Sequence, residues 1–123
     1  MPVLDPRNDA ALRFAEACRL GDADALRATL AADAIAICDG GGLVPVPTGP
    51  VHGAPDVARL AAALLCEQPD TELTIEGVNG RPGLALRRSG HTVAVVGIEA
   101  TDAGVTVLWF VLNPEKLRGW RRA

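Results

Sequence analysis

The sequence has few long apolar runs, and this absence bears on where the protein works. Its longest helix-like apolar stretch, around Val57 to Cys66, contains Arg59 and is too short to cross a bilayer. The N-terminus shows no basic region followed by an apolar segment, which a secretory signal would require. We therefore predict a cytoplasmic protein that does not enter a membrane.

Cysteine is scarce, and the potential metal ligands are scattered. Cys18, Cys38 and Cys66 are odd in number, lie at apolar-face positions and show no Cys-x-x-Cys or Cys/His spacing. Free cysteine commonly behaves as a small core hydrophobe, so we predict that all three are buried and reduced. No histidine, aspartate or glutamate cluster has metal-ligand spacing, and we predict neither a metal nor a cofactor.

Positive charge is also limited. The net charge is -3, and the twelve basic residues are scattered except for Arg118, Arg121 and Arg122 near the end. That distribution is not the basic patch of a nucleic-acid-binding protein, so we predict no direct contact with nucleic acid. Eleven of the twelve are arginine and only one is lysine, which together with 21 alanines suggests a GC-rich bacterial genome.

The apolar periodicity predicts a single α+β domain that spans residues 1–123. Two tandem helices start near Asp5 and at Asp22, the second stopping near Asp33, and a third helix runs from Pro55 to a point before Pro69. Residues 43–53, rich in proline and glycine, should form a loop with a short edge segment. The predicted strands are 34–38, 71–78, 84–88, 91–101 and 105–112, the last four as an antiparallel meander.

Two short motifs follow the first and the last predicted strand. The first is Asp39-Gly40-Gly41-Gly42 and the second is Asn113-Pro114-Glu115-Lys116-Leu117. With the order of elements between them, they resemble the SnoaL-like domain of the nuclear transport factor 2-like superfamily, in the form that ends certain extracytoplasmic-function sigma factors. The resemblance covers nearly the whole chain. It implies a cone, in which a curved, mostly antiparallel sheet wraps around about three helices.

The resemblance also implies where function lies in such a domain. Small-molecule sites of this superfamily usually lie at the wide end of the cone, and the opposite sheet face often forms a homodimer. In the sigma factors the triglycine motif is followed by lysine and is thought to contact the sigma core, whereas Leu43 occupies that position here. The second motif differs from the family pattern only in Glu115, which replaces aspartate.

A binding or regulatory module is the function that this resemblance favours. Its ligand would be a small apolar molecule or another protein, including a transcription-related partner. The two DNA- and polymerase-binding helical domains that precede this domain in the sigma factors do not occur within the 123 residues. We therefore expect a free-standing relative, which is not itself a sigma factor.

An enzyme is the alternative. A SnoaL-like cyclase or ketosteroid-isomerase-like enzyme would use Asp39 as the base and His52 as its partner on an apolar carbonyl substrate. Isomerase relatives use tyrosine as an oxyanion donor, and this chain contains none, which leaves His52 or Trp109 as substitutes. The competing interpretation of Asp39 is a turn residue whose side chain bonds to nearby backbone. The competing interpretation of His52 is a loop histidine that bonds to backbone.

The last strand carries two large aromatic residues at adjacent positions. Trp109 and Phe110 must point to opposite faces of the sheet, and we predict that Trp109 points inward, where an indole can pack and donate a hydrogen bond. The other face of strands 91–101 and 105–112 is the predicted homodimer contact. The candidate pocket or partner-binding residues are Phe14, Asp39, Gly40, Gly41, Gly42, His52, Leu64, Trp109 and Asn113.

Overall fold

The computed structural model describes residues 6–78 and 80–118. Its helices are α1 (Pro6–Leu20), α2 (Ala23–Thr29), α3 (Ala54–Ala61), which continues into a π-helical turn (Ala62–Cys66), and α4 (Pro114–Leu117). Its strands are β1 (Leu30–Asp39), β2 (Val51–His52), β3 (Thr71–Val78), β4 (Arg81–Arg88), β5 (His91–Thr101) and β6 (Gly104–Val111). The predicted order of helices and strands is confirmed.

The six strands form one sheet in the order β2-β1-β6-β5-β4-β3. Strands β3 to β6 form the predicted antiparallel meander, and β2 pairs antiparallel with β1. The exception is β1, which runs parallel to its neighbour β6. The sheet curls around the helices as a cone, so the predicted α+β fold is confirmed.

Strand β1 begins earlier than the sequence predicted. The apolar pattern extended the second helix to near Asp33, but that helix ends at Thr29 and Leu30 is already extended, with φ -94° and ψ 143°. Leu30 pairs with Val105 of β6. Pairing with the neighbouring strand therefore overrides the local helical preference of this alanine-rich stretch.

The core lies between the helices and one face of the sheet, which we call the inner face. Helix α1 contacts β4, β5 and β6, while α3 packs against β1. The largest fully buried side chains are Phe14, Leu26, Val57, Leu84, Val96, Val105, Leu108 and Phe110. No helix in the described ranges has the length and apolar character that a membrane crossing needs.

Trp109 lies on the opposite face, which we call the outer face, so the prediction that it points inward is wrong. Its exposed fraction is 38%, whereas that of Phe110 is 1%. The alternation of a strand required opposite faces but did not say which residue faced the core. Gly97 on β5 lies beside the indole, and a Cβ there would be in ordinary contact with it, 3.7 Å from the Trp109 ring.

The outer face carries an exposed apolar side chain beside this tryptophan. Ile37 of β1 pairs with Trp109 and is also exposed, whereas the exposed Ile75 of β3 pairs with Leu84 and lies on the inner face. A smaller buried cluster on this side joins Val95 to Leu117 of α4. The homodimer expected through this face stays a prediction.

Candidate functional site

The parallel pairing of β1 with β6 brings the two sequence motifs together. Asp39, the last residue of β1, pairs with Val111, the last residue of β6. The Leu112 N–H donates a 2.8 Å hydrogen bond to the Asp39 carbonyl just beyond these ends. Because neighbouring parallel strands end at the same edge of a sheet, the segments that follow them start side by side.

The side chains of both motifs then form one polar cluster, which we call the clasp and define as Asp39, Gly41, Asn113 and Lys116. Lys116 Nζ lies 2.6 Å from Asp39 Oδ2. The Gly41 N–H donates a 3.0 Å hydrogen bond to Asp39 Oδ1, and the Asn113 side chain also hydrogen bonds to this carboxylate. The clasp ties the triglycine loop to α4.

The electrostatics of the clasp keep Asp39 ionised. The hydrogen bond from the Lys116 ammonium group is the main reason why the pKa of Asp39 lies below its ordinary value. Desolvation opposes this shift to a lesser extent than Lys116, and the bonds from Gly41 and Asn113 lower the pKa further. At neutral pH the carboxylate is therefore charged and engaged.

Close backbone packing explains why glycine follows Asp39. Gly41 has φ +63°, and a Cβ at this position would lie 2.4 Å from Asn113 Cγ. Gly40 is equally crowded, since its Cβ would lie 2.2 Å from the Val44 carbonyl oxygen. Gly42 also has a positive φ, but nothing lies within 4 Å of its Cβ position.

Asn113 also holds α4 in place. Its Oδ1 accepts a 3.1 Å hydrogen bond from the Glu115 N–H, so it caps the helix, as the sequence predicted for Asn before Pro. Leu117, at the end of the helix, is buried. One side chain therefore contacts the glycine loop and fixes the start of α4.

An apolar cavity of about 430 Å³ opens beside the clasp. The loop that follows the glycines contributes Val44 and Pro45, and the segment that follows β6 contributes Leu112, Pro114 and Leu117. The remaining apolar lining residues are Leu64, Leu86, Val93 and Ala94. The two segments that the clasp joins therefore also form walls of this cavity.

Three polar residues also line the cavity, and they lie at its β4 end. Arg88 ends β4, Thr92 follows the β4–β5 turn, and Gln68 follows the π-helical turn. Arg88 Nη2 donates a 3.4 Å hydrogen bond to Gln68 Oε1. A mostly apolar cavity with a few convergent polar groups is typical of a small-molecule site.

A second, larger groove of about 950 Å³ shares Thr92, Pro114 and Leu117 with the lining of the apolar cavity. Its lining is largely polar and charged, and includes Glu72, His91 and Arg87. Arg87 is already neutralised by its ion pair with Glu76. The apolar cavity suits a small ligand better, although it is the smaller of the two.

The structure separates the proposed acid/base pair. His52 pairs with Ile35, four residues before Asp39 along β1, so the two backbones are about 13 Å apart at the rise of a strand. His52 is also exposed. The expectation that His52 would stand near Asp39 is therefore wrong, and with it the pairing on which the enzyme hypothesis rested.

The other predicted site residues divide between the core, the cavity and the clasp. Phe14 is fully buried in the core and is not part of the cavity lining, whereas Leu64 does line the cavity. Asp39, Gly41 and Asn113 meet in the clasp, with Gly40 and Gly42 beside them. Sequence reasoning missed Arg88 and Gln68 as site residues, and their one signal was polarity at the ends of apolar elements.

The three cysteine side chains are fully or partly buried. Cys18 is buried, and Cys66 Sγ donates a 3.4 Å hydrogen bond to the Cys18 carbonyl oxygen. Hydrogen bonding to Cys66 and burial both raise the pKa of the Cys18 thiol, and burial raises that of Cys38. Within residues 6–78 and 80–118, no group of three or more histidine, cysteine or acidic residues could hold a metal ion.

Comparison with known proteins gives structural matches only. No family model and no curated protein matches the sequence. The extracytoplasmic function sigma factor SigJ of Mycobacterium tuberculosis is similar over 94% of this chain, with 24% identity and a TM-score of 0.69. The chain spans 46% of the length of the SigJ chain.

Two smaller proteins match along most of their own length. A nuclear transport factor 2-like protein from Cytophaga hutchinsonii is 13% identical over 95% of this chain and 97% of its own, with a TM-score of 0.61. An epoxide hydrolase of the LEH-like type from M. tuberculosis is 18% identical over 92% and 86%, with a TM-score of 0.54. These matches show that the chain has the nuclear transport factor 2-like fold.

Proposed function

We propose that this nuclear transport factor 2-like domain is a regulatory module that binds a small apolar molecule in its cavity and signals occupancy through the clasp. One observation carries the proposal. The triglycine loop and the segment after β6 contribute to the clasp through Gly41 and Lys116, and to the cavity walls through Val44 and Leu112. A ligand that contacts both walls can therefore change the clasp.

The physical requirement for such a signal is a difference in affinity. A ligand shifts the equilibrium between two arrangements of a protein only by as much as it prefers one of them. Asn113 contacts Gly41 closely and also caps α4, whose Pro114 and Leu117 line the cavity. A small displacement of either cavity wall would thus alter the contacts of Asn113 with Gly41 and Asp39.

A protein partner would bind the loop that carries the clasp. Leu43, directly after the glycines, is 70% exposed and places an apolar side chain on the surface. The fold similarity to SigJ and the resemblance of both motifs to sigma-factor domains support a transcription-related partner. The exposed leucine would make the contact apolar, in place of the lysine found in the sigma-factor motif.

Proton-transfer chemistry by Asp39 is less well supported. An effective general base has a pKa near the working pH, whereas Lys116 holds the pKa of Asp39 below its ordinary range. Asp39 also lies outside the set of residues that line the cavity. The similarity to an epoxide hydrolase is one of fold, so we do not propose catalysis for this chain.

Filling the cavity tests the proposal. The Leu64→Trp substitution places an indole in the cavity, while Leu20→Trp adds the same group at an exposed position of α1. We expect octanol to bind the wild-type protein, and its affinity to fall roughly tenfold or more in Leu64→Trp, because the apolar surface that it would bury is occupied. Isothermal titration calorimetry measures this.

The Leu20→Trp variant should bind octanol like the wild type. Thermal melting of all three proteins shows whether each is folded. An absence of octanol binding by the wild-type protein, or equal affinity in a folded Leu64→Trp variant, would contradict the proposal.

A further inference from the structure

Arg88 is the cationic side chain in the lining of the apolar cavity. It is half-buried at the end of β4. Its Nε donates a 3.3 Å hydrogen bond to the Pro69 carbonyl oxygen, and its Nη2 donates to Gln68 Oε1. Both acceptors are neutral, so these bonds orient the guanidinium group and leave its charge unbalanced.

Most other arginines of the described chain are paired with carboxylates. The arginines in ion pairs are Arg13, Arg19, Arg59, Arg81, Arg87 and Arg118. Arg88 has no such pair among the described residues, although it borders apolar surface. Water solvates the exposed part of this half-buried guanidinium group, and a ligand carboxylate would supply a counter-charge where it borders the cavity.

We propose that the ligand of this cavity is a small apolar carboxylate whose carboxylate group binds Arg88. This inference rests on the proposed ligand-binding function and names the class of ligand. A planar guanidinium matches a carboxylate with two parallel hydrogen bonds, which are stronger than bonds between neutral groups. Thr92 and Gln68 lie beside it as further polar groups.

The other lining residues indicate the chemistry of the rest of the ligand. Leu64, Leu86, Val93 and Leu112 offer only apolar contact, which suits a hydrocarbon chain or ring. A phosphate group carries more charge than a carboxylate and would find one cation among the residues that line the cavity. The arrangement therefore favours a monocarboxylate with an apolar body.

Octanoate and octanol are the matched probes, since they share an apolar chain and differ in the charged end. By calorimetry we expect the wild-type protein to bind octanoate about tenfold or more tightly than octanol, the effect of a charge-assisted hydrogen bond. In Arg88→Gln this preference should disappear. Arg59→Gln, an exposed arginine of α3, is the control and should behave like the wild type.

Each outcome supports or overturns a defined claim. Octanol binding with no preference for octanoate would overturn the role of Arg88 while leaving the apolar cavity as a binding site. Failure of both probes would overturn this inference and the proposed function together. Unchanged octanoate affinity in a folded Arg88→Gln protein would also overturn it, and the wild-type comparison of the two probes decides the matter if that variant does not fold.

Discussion

At the scale of single residues, Gly41 and Gly42 are neighbours in sequence with different roles. Both have positive φ, so a side chain at either costs about 1–2 kcal/mol of backbone strain. Only at Gly41 would a Cβ meet another group, the Asn113 side chain. That side chain would have to rotate away, and its bonds to Glu115 and Asp39 would be lost.

The two alanine substitutions therefore separate strain from contact. We predict that Gly41→Ala lowers the free energy of unfolding by about 1 kcal/mol more than Gly42→Ala, the usual worth of a helix N-cap. Urea denaturation measures both values. Equal losses in the two variants would show that the contact between Gly41 and Asn113 contributes nothing.

The role of a single residue could be predicted from the sequence where local chemistry decides it. An aspartate before glycine was expected to bond to nearby backbone, and the Asp39 bond to the Gly41 N–H agrees with that interpretation. The Lys116 contact could not be predicted, because the two residues are distant in sequence and meet only through strand pairing. The alternation of side chains along a strand placed Trp109 and Phe110 on opposite faces, but it did not show which of the two faced the core.

At the scale of elements, the sequence predicted each strand of the meander and not the neighbour of β1. Turn residues between β3, β4, β5 and β6 mark hairpins locally, so their antiparallel pairing follows from the sequence. The parallel contact of β1 with β6 joins strands separated by most of the chain, and no turn signal encodes it. This one pairing creates both the clasp and the mouth of the cavity.

The outer face of β3 and β4 holds an ion pair that supports the sheet. Arg87 is 8% exposed and binds Glu76, with its Nη2 3.1 Å from Glu76 Oε1, and it also donates to Thr74. Removing Glu76 would take away the main counter-charge of Arg87, while Glu72, which pairs with Arg87 across β3 and β4, would still contribute. The pair between Arg81 and Glu99 has similar chemistry but is exposed.

We predict that Glu76→Ala destabilises the protein by about 3 kcal/mol, while Glu99→Ala changes its stability by less than about 1 kcal/mol. Urea denaturation compares the two variants under one condition. If both changes are equally small, the Arg87 pair does not stabilise the sheet.

At the scale of the whole molecule, the features that bear on function lie at one end of the sheet. The ends of β1, β4 and β6 and the start of β5 lie there, and they bring the clasp, the cavity and Arg88 together. The chemical groups come from separate parts of the sequence. Their placement follows from the topology of the fold, which is why the sequence motifs pointed to this end before their contacts could be known.

The chain offers one convenient probe for the link between cavity and clasp. Lys116 is its only lysine, so protein made with isotope-labelled lysine gives a single lysine side-chain signal in an NMR spectrum. Octanol is neutral and does not form an ion pair with this ammonium group. A change in the signal during titration with octanol would therefore report on the clasp and not on direct ionic binding.

The measurement that tests the central claim is the Lys116 signal as octanol fills the cavity. We predict that the signal shifts and saturates at the same octanol concentration as the calorimetric binding curve, and that it does not move in Leu64→Trp. If the cavity saturates while the Lys116 signal stays unchanged, the clasp does not respond to the ligand and the regulatory account is wrong.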